Sequence, residues 1–159
     1  MQPVSPSDVV DMTLQLLRHR LESYGAQVAV RRERPLPEVD GDPEQLKEVL
    51  ANLILNACEA MGEGGRIEIR EDAGVIDPHG PMAVVRVSDN GPCIPKAIQE
   101  EIFQPFFTTK GEGTGLGLSI ARRIMDEHGG WLHLHSQEGS GATFVLALPC
   151  RDKDVWLRS

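Results

Sequence analysis

The spacing of apolar positions along the 159-residue chain switches repeatedly between helical and strand periods, and those switches mark out its elements. Ser7 and Asp8 open VVDMTLQLLRHRLESYG, where Val9, Met12, Leu16 and Leu17 fall on one helical face. Gly25 stands where a helix stop belongs. AQVAVRRE alternates like a half-buried strand, and PLPEVDGDP reads as a loop. Asp42 before Pro43 is a helix start with proline at the first helical position, and the apolar stripe behind it predicts a helix from Pro43 to about Met61, ended by GEGG. RIEIRED and MAVVRVSD read as strands around the turn-rich DPHGP, GLGLSIARRIMDEHGG as a helix stopped by Gly129 and Gly130, and WLHLHSQ and ATFVLALP as a strand pair around EGSG.

Residues 89 to about 114 fit neither period. They are punctuated by Gly and Pro yet carry apolar residues, and a connection this long in a compact domain is more often a functional lid than a random insertion. The predicted order is α-β-α-β-β-lid-α-β-β. It implies an α/β fold: a two-layer sandwich with a mixed, mostly antiparallel sheet and helices on one face. Residues 1–150 form the expected domain, with 1–7 as a linker and 151–159 as a tail.

Composition narrows the function. A net charge of −8 argues against a nucleic-acid binder with a basic patch. It leaves room for a nucleotide, since a phosphate site can be built from backbone N–H groups and a cation or two. Three cysteines (Cys58, Cys93, Cys150) lack disulfide or zinc spacing. The N-terminal sequence has no signal-peptide pattern, and no apolar run reaches the roughly 18 residues that span a bilayer. The expectation is a cytoplasmic fragment without membrane contact.

Four constellations carry candidate chemistry. Glu48, Asn52 and Asn56 are spaced by four, about 40° apart around the axis, so they share one face of an otherwise apolar helix. A carboxylate and two amides are hard oxygen donors of the kind Mg²⁺ takes; a solvated stripe is the plain alternative. Asp89 closes an apolar strand before Gly91, where it could accept from an exocyclic amino group or simply make an Asx turn. KGEGTGLGLS sets Gly111, Gly113, Gly115 and Gly117 before a helix, whose first turn offers free N–H groups to phosphate. Neither the Walker nor the dinucleotide pattern occurs. IFQPFFTTK concentrates Phe103, Phe106 and Phe107, three of four phenylalanines, beside Thr108, Thr109 and Lys110.

In this order, E-x3-N-x3-N, D-N-G, FQPFFTTK, G-x-G-T-G-L-G-L and G-S-G-A-T-F, the motifs resemble the N, G1, F and G2 boxes of the histidine-kinase branch of the GHKL ATPases, from Asp8 to Pro149. The resemblance implies a Bergerat-type fold that binds ATP with Mg²⁺ under a mobile lid. It implies Asn52 as the Mg²⁺ ligand, Glu48 near the γ-phosphate as the catalytic residue, and Asn56 on the phosphates. Asp89 would bind the adenine amino group above Gly91, with Thr143 near the base. Lys110, Gly113, Thr114, Gly115, Leu116 and Gly117 would wrap the phosphates. The implied reaction is γ-phosphoryl transfer to a histidine on a separate dimerisation domain, with a response regulator downstream. A regulatory nucleotide-binding module or a GHKL serine kinase or ATPase are the alternatives.

Two departures qualify the expectation. The second glycine of the family's D-x-G-x-G is Cys93 here. If that position needs φ > 0, cysteine costs about 1 kcal/mol or more, and nucleotide affinity falls. None of His19, His79, His128, His133 and His135 lies in the H-E-x-x-x-P type context of the family's phosphoacceptor, so the chain is expected to bind ATP and not to phosphorylate itself; the resemblance also implies that separate helices make the dimer, so this chain is expected to be a monomer.

Overall fold

The computed structural model describes residues 1–32, 35–76, 80–104, 117–136 and 141–152, with backbone alone at 75 and 76. After strand β1 (Gln2–Val4), helix α1 (Pro6–Leu16) starts at Ser5, whose hydroxyl accepts from the Asp8 N–H, with Pro6 at the first helical position. The periodicity predicts one helix to Gly25, but the helix breaks at Leu17 and a second, α2 (Arg18–Tyr24), follows. Gly25, at φ 65°, closes it with paired bonds from Gly25 N–H to Glu22 O and from Ala26 N–H to Leu21 O. The buried face also differs from expectation. Val9, Val10, Thr13 and Leu17 are buried, whereas Met12 and Leu16 are 41% and 64% exposed. Thr13 takes an inward position because its hydroxyl donates to Val9 O at 2.7 Å, which satisfies its one polar atom.

Strand β2 (Gln27–Arg32) is followed by β3 (Val39–Gly41), which pairs antiparallel with β1. The segments read as loop and linker thus each supply a short strand. Asp42 then caps α3 (Pro43–Met61), its carboxylate accepting from the N–H groups of Glu44 and Gln45 at 3.0 and 3.3 Å. Strands β4 (Arg66–Ile76) and β5 (Gly80–Asp89) form a long antiparallel pair. Beyond them come two 3-10 turns, Lys96–Ile98 and Glu101–Phe103, then α4 (Gly117–Glu127), β6 (Trp131–Ser136) and β7 (Ala142–Pro149).

The main sheet runs β2-β4-β5-β7-β6. Only β2 and β4 are parallel, joined through the crossover that contains α3, because parallel neighbours cannot be linked by a tight turn. Central β5 is buried on both faces from Pro81 to Val85, as its unbroken apolar run requires. Ala83, Val85 and Val87 face the core they share with Val9, Val49, Leu53 and Ile124 of the helices. Met82, Val84 and Ala147 make a smaller apolar cluster on the opposite face, with Trp131 and Val145 against it. The architecture is the expected mixed two-layer α/β sandwich.

Two polar networks pin helices to their neighbours. Buried Glu71 accepts from the Ser7 hydroxyl and from Arg32 Nε, while Arg32 also reaches Asp11 at 2.6 Å, tying α1 to the β2–β4 edge. At the other side, buried His128 uses both ring nitrogens. Nδ1 donates to Ile124 O at 2.8 Å and Nε2 accepts from the Asp42 N–H at 3.0 Å, an arrangement that assigns the neutral Nδ1–H tautomer. His128→Ala leaves the Asp42 N–H without its acceptor, so a loss of about 1–2 kcal/mol, or about 2–8 °C in Tm, is expected in thermal unfolding. An unchanged Tm would show that water replaces the imidazole at no cost.

Candidate functional site

The polar face of α3 forms one wall of the site. Glu48 is exposed, while Asn52 and Asn56 are half-buried. Their i, i+4 spacing holds them in line while Val49, Leu50, Leu53 and Ile54 anchor the opposite face in the core. Asn52 Nδ2 donates to the carbonyl of Gly117, the first residue of α4, at 3.2 Å. A Cβ on Gly117 would stand only 3.5 Å from Asn52 Cγ and Oδ1, so the start of α4 lies directly against this amide. Asn52 thus keeps an oxygen to offer a ligand, beside the carboxylate of Glu48.

The second wall is the turn after β5. Asp89 is 9% exposed, and its Oδ1 accepts from the N–H groups of Gly91 at 2.9 Å and Ala142 at 3.4 Å. Burial pushes its carboxyl above the ordinary carboxylate range, and the two N–H bonds pull the other way without cancelling that rise. Two glycines make the close packing possible. A Cβ on Gly91 would meet Met61 Cγ at 2.9 Å and Asp89 Oδ1 at 3.2 Å. Gly141 has φ 73°, and a Cβ there would lie 2.3 Å from the Asp89 carbonyl oxygen.

Ser136, the last residue of β6, holds this turn in place. The Ser136 hydroxyl accepts from the Ile94 N–H at 2.7 Å and donates to Gly141 O at 3.1 Å, joining the turn to the start of β7. Gln99 Nε2 donates to Ile94 O at 3.0 Å. Phe103 is buried edge-to-face on Phe144, ring centroids 6.3 Å apart, with the Arg122 guanidinium 4.3 Å above its ring. That contact anchors the first of the clustered phenylalanines on the sheet.

Of the residues singled out by sequence, Asn52 and Gly117 meet at the α3–α4 contact, with Glu48 and Asn56 one turn to either side of Asn52 along α3. Asp89 and Gly91 sit at the far end of α3, where Met61 lies beneath the turn. Thr143 is not brought to them. It pairs with Ser88, and their hydroxyls lie 2.9 Å apart on the sheet face opposite Asp89. Its neighbour Ala142 faces the carboxylate instead. The strand pattern identifies β7, but the one-residue parity that decides this depends on its register with β5. Lys110, Gly113, Thr114, Gly115 and Leu116, with Phe106, Phe107, Thr108 and Thr109, lie outside the described residues. Cys93 is a half-buried free thiol. Met61, Gln99 and Ser136 carry no signal in sequence that separates them from ordinary helix, loop and strand residues.

Comparison with known proteins places these features in a family. Residues 41–152 match the model of the histidine kinase-, DNA gyrase B- and HSP90-like ATPases. The sensor histidine kinase ZraS of Escherichia coli (strain K12) is 38% identical over 149 residues, which are 94% of this chain and 31% of that protein. The histidine kinase AtoS of the same organism is 37% identical over 152 residues, 93% of this chain and 24% of that one. The chain therefore spans about a third or less of these relatives. Among solved structures, the nucleotide-free catalytic domain of histidine kinase ThkA superposes with a TM-score of 0.80 at 35% identity, covering 94% of this chain and 96% of that domain.

Proposed function

Because the chain belongs to the histidine kinase-, DNA gyrase B- and HSP90-like ATPase family, as the ATP-binding catalytic part of a histidine kinase, we propose that it binds ATP together with Mg²⁺ and donates the γ-phosphoryl group to a histidine on a separate dimerisation domain. One observation carries the reading: α3 joins the two halves of a nucleotide site. Its oxygen-bearing face meets α4 at Asn52, and its last residue, Met61, underlies the Asp89–Gly91 turn. From Asn52 to Met61 the helix rises about 13 Å, a span an extended nucleoside triphosphate covers.

The donor set fits the cation. Among the described residues no cluster of three acidic, histidine or cysteine side chains is built. Single hard oxygens from Asn52 and Glu48 suit an ion that keeps waters and leans on phosphates rather than on a protein cage. Mg²⁺ supplies neutralisation of the phosphate charge, which an acidic chain of net charge −8 does not itself provide.

At the base end, Asp89 directs the carboxylate oxygen not taken up by Gly91 and Ala142 toward the exocyclic amino group of adenine, and Gly91 lets the ring approach. At the phosphate end, Asn56 and the first turn of α4 orient the chain of phosphates, and Glu48 stands where the γ-phosphoryl group arrives. In transfer the P–O bond to the β-phosphate breaks, a P–N bond to the acceptor imidazole forms, and ADP leaves. This chain's work is alignment of donor and acceptor and exclusion of water more than covalent chemistry. The phosphorylated partner would then serve a response regulator, the class of protein bound in the solved complex of ThkA with TrrA, whose kinase superposes at TM-score 0.76 and 32% identity.

Calorimetric titration of a non-hydrolysable ATP analogue with and without Mg²⁺ tests the reading. Binding is expected to strengthen with Mg²⁺, and Asn52→Ala is expected to remove about tenfold or more of that gain. Binding by the intact chain that ignores Mg²⁺ would overturn the assignment of Asn52.

A further inference from the structure

A divalent cation prefers a carboxylate, yet the central residue of the polar α3 face is an amide. The bond from Asn52 Nδ2 to Gly117 O supplies a reason, because a carboxylate cannot donate. We infer that Asn52 is a positioning residue as well as the ligand proposed above: its amide nitrogen anchors the first residue of α4, so the side chain facing the cation also fixes where the phosphate-facing helix begins. The inference rests on that nucleotide reading for its consequence, but the contact itself is present without nucleotide.

A second bond makes the anchoring effective. At the opposite end of α4, His128 accepts from the Asp42 N–H just before α3. The two bonds pair an early position of α3 with the end of α4, and a middle position of α3 with the start of α4, so the helices run antiparallel. Along α3, residues 42 to 52 rise about 15 Å, and along α4, residues 117 to 128 rise about 16.5 Å, which differ by one residue's rise. The bonds are therefore in register, and sliding α4 by one turn would break both. Between them Ala121, Ile124 and Met125 are buried in the core shared with Val49 and Leu53. With the far end fixed, the Asn52 bond governs the start of α4. Since linkage is reciprocal, displacing the start of α4 weakens the cation site, and cation capture steadies the start of α4.

Asn52→Asp and Asn56→Asp separate this from a simple ligand role. Each makes the same isosteric change on the same helix face, and Asn56 has no bonded partner among the described residues. In nucleotide-free protein, Asn52→Asp sets an acceptor against the Gly117 carbonyl. Hydrogen exchange at the amides of Ala121 and Arg122, which close the first turn of α4, is expected to quicken about five- to tenfold. Asn56→Asp is expected to exchange there as the wild type does. With the ATP analogue present, Mg²⁺ affinity is expected to fall about tenfold in Asn52→Asp despite the added carboxylate. Wild-type exchange in Asn52→Asp, equal acceleration in both variants, or Mg²⁺ affinity kept or tightened by Asn52→Asp would each overturn the inference. The exchange arm contains neither nucleotide nor Mg²⁺, so its failure leaves the nucleotide reading intact. Failure of the wild-type chain to bind the analogue sinks the nucleotide reading instead.

Discussion

Replacing Asp89 with asparagine is expected to weaken ATP binding about a hundredfold while leaving the fold as stable as before, or more so. In the wild type, Oδ1 accepts from the Gly91 and Ala142 N–H groups, and in the proposed site the second oxygen is left to accept from the adenine amino group. Those two donors dictate how an amide would sit: its oxygen must take the Oδ1 place, which turns its NH₂ toward the base. Donor then faces donor at the position where adenine was read. A 6-oxo purine reverses the problem, so titration with inosine triphosphate beside ATP should show the preference for ATP narrowing or inverting in Asp89→Asn. Unchanged ATP affinity would remove Asp89 from the base site.

The stability half follows from the raised pKa of Asp89. The native state holds this proton more tightly than the unfolded chain, whose carboxyl titrates near the ordinary 3.8. Between 3.8 and the raised native value the native state binds more protons, so stability falls as pH climbs through that window and stays reduced above it. Asparagine carries no such penalty. At pH 7 the nucleotide-free variant should melt at or above the wild type, the mark of a group kept for binding at some cost to folding.

Gly141→Ala should do the opposite and damage fold and site together. The residue has φ 73°, which an L side chain adopts at a cost of about 1–2 kcal/mol. The added Cβ would also come within 2.3 Å of the Asp89 carbonyl oxygen, a backbone atom that no rotamer change can move. The loss is expected to be about 3 kcal/mol in thermal or urea unfolding, a Tm drop of about 6–12 °C. Relief of the clash must displace either β7 or the Asp89 turn, so ATP affinity should fall in the same variant. Wild-type Tm would mean that the hairpin end yields freely. The same change at Gly64, also at positive φ and with nothing within 4 Å of an added Cβ, separates the strain of positive φ from the clash.

What could be read before the fold was known is what is encoded locally. Asp42 and Pro43 announce the start of α3, its apolar spacing gives its length, and the i, i+4 recurrence of Glu48, Asn52 and Asn56 gives the polar face, all without reference to any other segment. The apolar run in β5 likewise marks a strand. What escaped depends on which distant segment meets which. The β1–β3 pair joins residues 2–4 to 39–41, and three-residue strands carry no period of their own. Thr13 reads as a polar interruption until its hydroxyl is seen to bond within the helix. The resemblance puts Thr143 near the base, but a strand offers two faces, and only the pairing with Ser88 tells which one it takes. His128 looked like a residue of a helix stop. Its role appears only when α4 is laid against the start of α3.

Strands β5 and β7 are neighbours in the sheet, yet everything from residue 90 to 141 lies between them in sequence. A tight turn could join such a pair. Here the chain instead leaves at Asp89, makes an excursion that includes α4 and β6, and returns so closely that Gly141 touches the point of departure. Closing a loop that is already this long is insensitive to its length, since each doubling adds only about 0.6 kcal/mol. A change of a few residues in the length of the excursion between β5 and β7 should therefore alter its closure free energy by only about tenths of a kcal/mol. The same sheet can carry many different excursions, which leaves natural variation free to retune the catalytic part of the molecule without endangering its scaffold.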